Sequence, residues 1–205
     1  MNDLQRTDEW YQARLGKATA SKFNKVFTST GKKSTQWKKY MYQLLAERMT
    51  GQCPEFSNSA TDWGNTYESE AMLAYERETF REIKSTGFLE YSGDNELLRK
   101  YVGGSPDGLI GEDGGVEFKC PHKSEIHVET AITKKVPAEY YPQVQGGLWL
   151  SDRKWWDFVS YDPRANSNQL VIVRVERNEE FIQGLELALI EFCENLDNQI
   201  KFLKL

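Results

Sequence analysis

The sequence predicts an α/β fold: a mixed central β-sheet flanked by helices, within one domain spanning residues 1–205. Three observations predict it. Trp155–Tyr161 and Leu170–Glu176 are aromatic and β-branched runs separated by a polar turn at 162–169, the pattern of two strands. Residues 107–120 read as a hairpin, with Gly111-Glu112-Asp113-Gly114-Gly115 as its turn. Long segments elsewhere place apolar residues at helical spacing, most clearly Phe181, Leu185, Ala188, Leu189, Phe192, Leu196 and Ile200.

Taken in order, Asp8 to Leu15 is a short helix closed near Gly16, and Thr19-Ala20-Ser21 opens a second through Phe27. Residues 28–34 form a basic loop. Gln36 to Met49 is a helix with Tyr40, Leu44 and Leu45 inward, and Pro54 marks a break over 51–57. Ala60 to Thr79 is a long helix with Trp63, Tyr67, Met72 and Tyr75 free to pack. A strand is expected over Arg81 to Tyr91, then a turn at Ser92-Gly93-Asp94 and the hairpin. Ala138 to Leu150 is a helix that tolerates Pro142 only near its first turn, with Tyr141, Val144 and Leu148 inward. Leu170–Glu176 is apolar enough to be a central strand. Asn178 caps the last helix, and Glu179 and Glu180 suit the positive end of its dipole.

Composition limits the function classes. With 39% hydrophobic and 13% aromatic residues the chain can bury a substantial core. No apolar run is long enough to cross a bilayer and residues 1–6 lack the apolar stretch of a signal peptide, so a cytoplasmic protein is expected. Cys53, Cys120 and Cys193 are odd in number and unpaired in spacing, which excludes a disulfide framework and a cysteine zinc site. The net charge of -5 is unevenly spread: residues 1–50 hold ten Lys and Arg against four Asp and Glu, while the rest is acidic. Such a local basic excess fits a phosphate-contacting entrance, with Lys32, Lys33, Lys38 and Lys39 as candidates, or a solvated helix face.

The hairpin carries the chemistry. Side chains alternate along a strand, so Glu117 and Lys119 share one face while Val116 and Phe118 share the other. Asp107 lies across from Glu117. Two carboxylates suit magnesium, which takes oxygen ligands and completes its octahedron with water and substrate phosphate; the main-chain carbonyl of Phe118 is a third candidate ligand. Lys119 then orients the attacking water or offsets charge developing on phosphorus. No cysteine or histidine set lies here to favour zinc, and His122 and His127, five residues apart, read as surface or packing residues. Asp107 followed by Glu117-Phe118-Lys119 matches the PD-(D/E)xK nuclease signature.

Further stretches extend the match: Trp10-Tyr11-Gln12-Ala13-Arg14-Leu15-Gly16 with Thr19-Ala20-Ser21, Trp63-Gly64-Asn65-Thr66-Tyr67-Glu68, Gln143-Val144-Gln145 and Tyr161-Asp162-Pro163-Arg164. With Ser105-Pro106-Asp107-Gly108-Leu109 and Glu117-Phe118-Lys119-Cys120-Pro121 they span most of the chain, which in these stretches resembles the lambda exonuclease family of YqaJ-like viral recombination nucleases. By itself Glu68 reads equally as a helix-surface glutamate, Gln145 as a boundary residue, and Thr19 and Ser21 as helix caps. The resemblance implies a restriction-endonuclease-like core, Glu68 as a supporting carboxylate in the site, and Gln145 positioning water or the scissile phosphate. It also implies that Arg14, Ser21 and Ser105 hold a 5′-phosphate. The activity implied is a magnesium-dependent 5′-to-3′ exonuclease on linear double-stranded DNA, with manganese as a substitute metal. It leaves 3′ single strands for a single-strand annealing partner of phage-type recombination, and works as a homotrimer in a bacterial host. A non-catalytic DNA-end-binding protein and a related endonuclease are the alternatives.

Overall fold

The structure is a computed structural model that describes residue 5, residues 7–53 and residues 59–205. Pro54 and the rest of the expected break beyond Cys53 lie outside the described residues, as does most of residues 1–6. The elements follow as α1 (Asp8–Arg14), β1 (Ala18–Thr19), a 3-10 helix (Ala20–Lys25), α2 (Trp37–Thr50) and α3 (Ser59–Thr79). Then come β2 (Leu89–Glu90), α4 (Glu96–Tyr101), β3 (Val102–Gly104), β4 (Gly108–Ile110) and β5 (Gly114–Lys119). The chain closes with α5 (Ser124–Thr133), α6 (Tyr141–Ser151), β6 (Trp155–Tyr161), β7 (Leu170–Glu176) and α7 (Glu179–Leu203).

Two sheets result. The larger has the order β4-β5-β6-β7 and is mixed, because β5 pairs parallel with β6 while both outer pairs are antiparallel. A parallel step needs a long crossover, and α5 and α6 supply it between Lys119 and Trp155. The smaller sheet has the order β1-β3-β2 and brings residues near 18 beside residues near 103.

The larger sheet is covered on both faces, and the pleat decides which side chains meet which helix. Val116 and Phe118 of β5 and Val159 and Tyr161 of β6 pack against Ala71 and Tyr75 of α3. Trp156 and Phe158 point the other way, onto Val144 and Leu148 of α6. Glu117 pairs with Phe158 in the register, so Glu117 and Lys119 also face α6. A separate core under α7 joins Leu185, Leu189, Phe192 and Leu196 to Tyr40 and Leu44 of α2. Asn178 caps α7 through a bond from the Phe181 N–H at 3.0 Å, as its position predicts. Among the described residues no helix is long and apolar enough to cross a membrane.

Four sequence expectations are corrected. β7 is an edge strand, its far residues exposed, and β6, buried along nearly its whole length, is central. The expected strand over 81–91 shrinks to Leu89–Glu90 plus one bridge between Lys84 and Leu109, because most of this polar segment has no second strand to pair with. Gly114 and Gly115 belong to β5 and not to the turn. A Cβ at Gly114 would meet the Trp155 ring at 2.2 Å and one at Gly115 the Trp156 ring at 2.2 Å, so the glycines make room for two tryptophans on the neighbouring strand. Finally, α4 and α5 were not expected. Asn95 caps α4 by accepting from the N–H groups of Leu97 and Leu98, a signal present in the sequence.

Candidate active site

The hairpin of β4 and β5 is antiparallel, Gly108 opposite Val116, and holds Asp107 just outside the first strand. The Asp107 carboxylate accepts the Phe118 N–H through Oδ2 at 2.7 Å, one residue from Glu117. Glu117 is 4% exposed, and its Oε1 accepts from the Lys119 ammonium and from the Gln143 side-chain amide, each at 2.5 Å. Asp107 Oδ1 and Glu117 Oε2 have no hydrogen-bond partner among the described residues. The site therefore presents two adjacent carboxylates with spare oxygens and one lysine.

The electrostatics follow from this crowding. Burial, then Glu117, pushes the Asp107 carboxyl well above the usual carboxylate range, with Glu68 adding to the rise and Lys119 opposing it. Burial alone would lower Lys119, but Glu117 and Asp107 outweigh it and hold its ammonium above the ordinary lysine value. Carboxylates with more negative charge than their lysine neutralises are a donor set for a divalent cation. Among the described residues no group of three or more His, Cys, Asp and Glu side chains could hold a metal, so a divalent cation here would draw on one or two carboxylates and complete its shell with water or substrate oxygens. Asp107, Glu117 and the Phe118 carbonyl are the residues placed to hold it. Glu68 stands on the wall of the same cleft.

That cleft, about 600 Å³, is also lined by Ser21, Lys22, Asn65, Lys119, His122, Tyr140 and Gln143. Its size is within the ~300–1,000 Å³ range of ligand sites. Arg14 and Ser105, two of the residues expected to hold a phosphate, meet. Arg14 NH1 and Trp10 Nε1 both donate to the Ser105 hydroxyl oxygen at 2.9 Å, and the Arg14 guanidinium lies 4.2 Å over the Trp10 ring. With its oxygen accepting two bonds, Ser105 has its O–H left to donate. Burial lowers the Arg14 guanidinium from its ordinary value, and among the described residues no ion pair compensates it. Ser21 hydrogen-bonds Thr19 at 3.3 Å and reaches neither of them. It leaves the small sheet beside Ser105, however, because Thr19 pairs with Gly103 and Ala20 then crowds Gly104.

Gln145 is placed elsewhere, which corrects the expectation for it. It is fully buried, donates to the Glu176 carbonyl at 3.0 Å and accepts the Asn178 N–H at 3.0 Å, so it ties α6 to the start of α7. Two residues apart on a helix, Gln143 and Gln145 cannot face the same way, and Gln143 is the one over β5. Replacing Gln143 by alanine is expected to lower kcat with the melting temperature unchanged. Gln145→Ala is expected to cost about 1–3 kcal/mol of stability, from the buried groups it leaves unpaired, which urea unfolding reads directly.

Lys22 was also overlooked; it lines the cleft, and the sequence signal for it was its place next to Ser21. Of the expected phosphate-contact lysines, Lys33 pairs with Glu191 at 2.6 Å and sits on the Trp37 ring. His127 is buried between Ser160 and the Asn168 carbonyl, and His122 rests edge-on against Trp63.

Comparisons with known proteins bear on the family and the fold. The alkaline exonuclease of Laribacter hongkongensis has a crystal structure similar to this one at a TM-score of 0.87, with 35% identity, covering 97% of this chain and 96% of that chain. Its structure in complex with dAMP gives 0.86 at 36% identity with the same coverage. The likeness bears out the restriction-endonuclease-like core. A phage-related exonuclease from Haemophilus somnus 129PT shares the fold, with a TM-score of 0.64 at 17% identity over 91% of this chain and 96% of that one. A curated Escherichia coli K12 protein named ExoD is 32% identical over 65 residues, 32% of this chain and 75% of its own. A model described as the YqaJ-like viral recombinase domain matches residues 9–154, most of the chain, and on that match this protein belongs to the YqaJ-like viral recombinase family.

Proposed function

We propose that this chain is a magnesium-dependent exonuclease that degrades linear double-stranded DNA from its 5′ ends and leaves 3′ single strands for annealing-type recombination. The observation that carries the reading is that Asp107, bonded to the Phe118 N–H, stands next to a Glu117 that accepts from Lys119 and Gln143, two residues on the cleft wall, while a desolvated arginine is bonded to Ser105. The similar Laribacter protein is named an alkaline exonuclease and has been crystallised with a nucleoside monophosphate, which supports a nucleotide as the product.

Asp107, Glu117 and the Phe118 carbonyl would hold a magnesium ion, which would supply Lewis-acid polarisation of the scissile phosphate and a more acidic bound water. Manganese suits the same oxygen donors. The chain's own groups do the rest. Lys119, kept charged by its two carboxylates, places its ammonium where negative charge grows on phosphorus. Gln143 holds Glu117 in one rotamer and offers an amide to water or phosphate. Glu68 adds a carboxylate at the cleft wall. Arg14, Ser105 and Ser21 receive the terminal 5′-phosphate, the first through a guanidinium that, among the described residues, hydrogen-bonds Ser105 alone. Assembly into a homotrimer and hand-over of the 3′ strand to an annealing protein rest on family membership alone. Sedimentation at the mass of one chain removes the trimer from this reading.

The test uses end-labelled linear duplex with 5′-phosphate or 5′-hydroxyl ends, and a covalently closed circle. Release of nucleotides is expected from the linear forms only, faster from the phosphorylated one, and abolished by a magnesium chelator. Arg14→Ala is expected to reduce the preference for phosphate by about tenfold or more, the scale of one hydrogen bond to a charged group. Binding without shortening, with or without magnesium, leaves an end-binding protein, and cleavage of the circle at the linear rate leaves an endonuclease.

A further inference from the structure

We propose that Glu47, Arg48 and Tyr40 of α2 are positioning residues that set how Arg14 and Ser21 stand toward a 5′-phosphate; this rests on the phosphate reading above. Only six residues separate Arg14 from Ser21, and the chain between them turns sharply at Gly16, whose φ of +63° favours glycine. Both ends of that turn are held by one helix. The Gly16 N–H donates to Glu47 Oε2 at 3.0 Å in a buried bond, and the Gly16 carbonyl accepts from Arg48 Nε at 3.2 Å and NH2 at 2.9 Å. Further on, the Thr19 N–H donates to the Tyr40 hydroxyl at 3.2 Å, two residues before Ser21.

These contacts leave little freedom. A Cβ at Gly16 would come within 2.5 Å of the Arg48 side chain, so that side chain packs directly on the turn. Arg48 is in turn seated 4.9 Å over the Tyr101 ring, next to β3 and so on the chain that leads to Ser105. Tyr40 is 2% exposed and stacked on Phe192 of α7, which anchors α2 in the core. Glu47 is 6% exposed, and a buried carboxylate near an arginine would ordinarily pair with it. Here Gly16 N and Gln43 Nε2 occupy it instead, and Cys53 Sγ lies 3.9 Å away. Glu47 thus holds the Gly16 turn, and the Arg14 donors not taken by Ser105 are left for an outside anion.

Rates on 5′-phosphorylated and 5′-hydroxyl linear duplex are compared for wild type, Glu47→Ala, Glu47→Gln and Tyr40→Phe. A structural role alone lowers both rates together. The expected result is a phosphate preference reduced by about tenfold in Glu47→Ala, the loss falling on the phosphorylated end, and regained in Glu47→Gln, which can still accept the Gly16 N–H. Where Glu47→Ala does not fold, Tyr40→Phe, which deletes one hydroxyl, carries the same expectation. A preference kept intact in folded Glu47→Ala or Tyr40→Phe overturns the inference and leaves the phosphate site standing. Equal wild-type rates on the two ends overturn the phosphate site and this inference with it.

Discussion

Lys119→Ala lowers the rate of nucleotide release from linear duplex DNA by about 10²–10³-fold, the effect of removing one group aimed at developing transition-state charge. The side chain is well placed for so large an effect. It is charged, about a quarter exposed, bonded to Glu117 and held 5.2 Å from the centre of the Tyr140 ring. Only its head faces the cleft, and neither hydrophobic cluster of the larger sheet includes it. The variant is therefore expected to melt within a few degrees of wild type and to retard end-labelled duplex in a gel at similar concentrations. A rate within tenfold of wild type removes Lys119 from the chemistry and leaves it as the counter-charge that keeps Asp107 and Glu117 together. Adding Gln143→Ala separates the two roles. If both residues act on one transition state their effects fall short of additive, because each was measured against a site the other had assembled.

Trp156→Ala is expected to destabilise the fold by about 3–5 kcal/mol, the scale for deleting a large aromatic from a core. Trp156 is 1% exposed and lies over Gly115 on the neighbouring strand and Gly147 on α6, positions where any added Cβ would strike its ring. Its indole Nε1 is buried without a hydrogen-bond partner among the described residues, so the loss is one of packing. Urea unfolding reads the value. A cost below about 1 kcal/mol would mean that α6 collapses onto β5 and fills the space. The same shift would move Gln143 relative to Glu117, so the variant's residual activity at low temperature reports on the coupling between core and site.

The hairpin and the last helix were legible because their signals are local. Alternation along β5 put Glu117 and Lys119 on one face whatever the rest of the chain did, and the apolar spacing of 181–200 defined the buried stripe of α7. The strand over 81–91 failed for the complementary reason. A strand exists only if another backbone comes alongside, and most of this segment met none. Leu170–Glu176 read as central on its apolarity, yet a position in the sheet is set by which neighbours arrive on either side, and among the described residues none pairs beyond β7.

The sequence by itself determined the type of most of the longer elements, the carboxylates and lysine of the hairpin, and the set of residues from which an anion site could be built. Those follow from backbone geometry and side-chain chemistry, which act over a few residues. Only the tertiary structure decided that Gln143 and not Gln145 reaches Glu117, and that Arg14 meets Ser105 across 91 residues of chain. Each of those depends on how one element is rotated and docked against another, and that angle is chosen by packing among side chains far apart in the sequence.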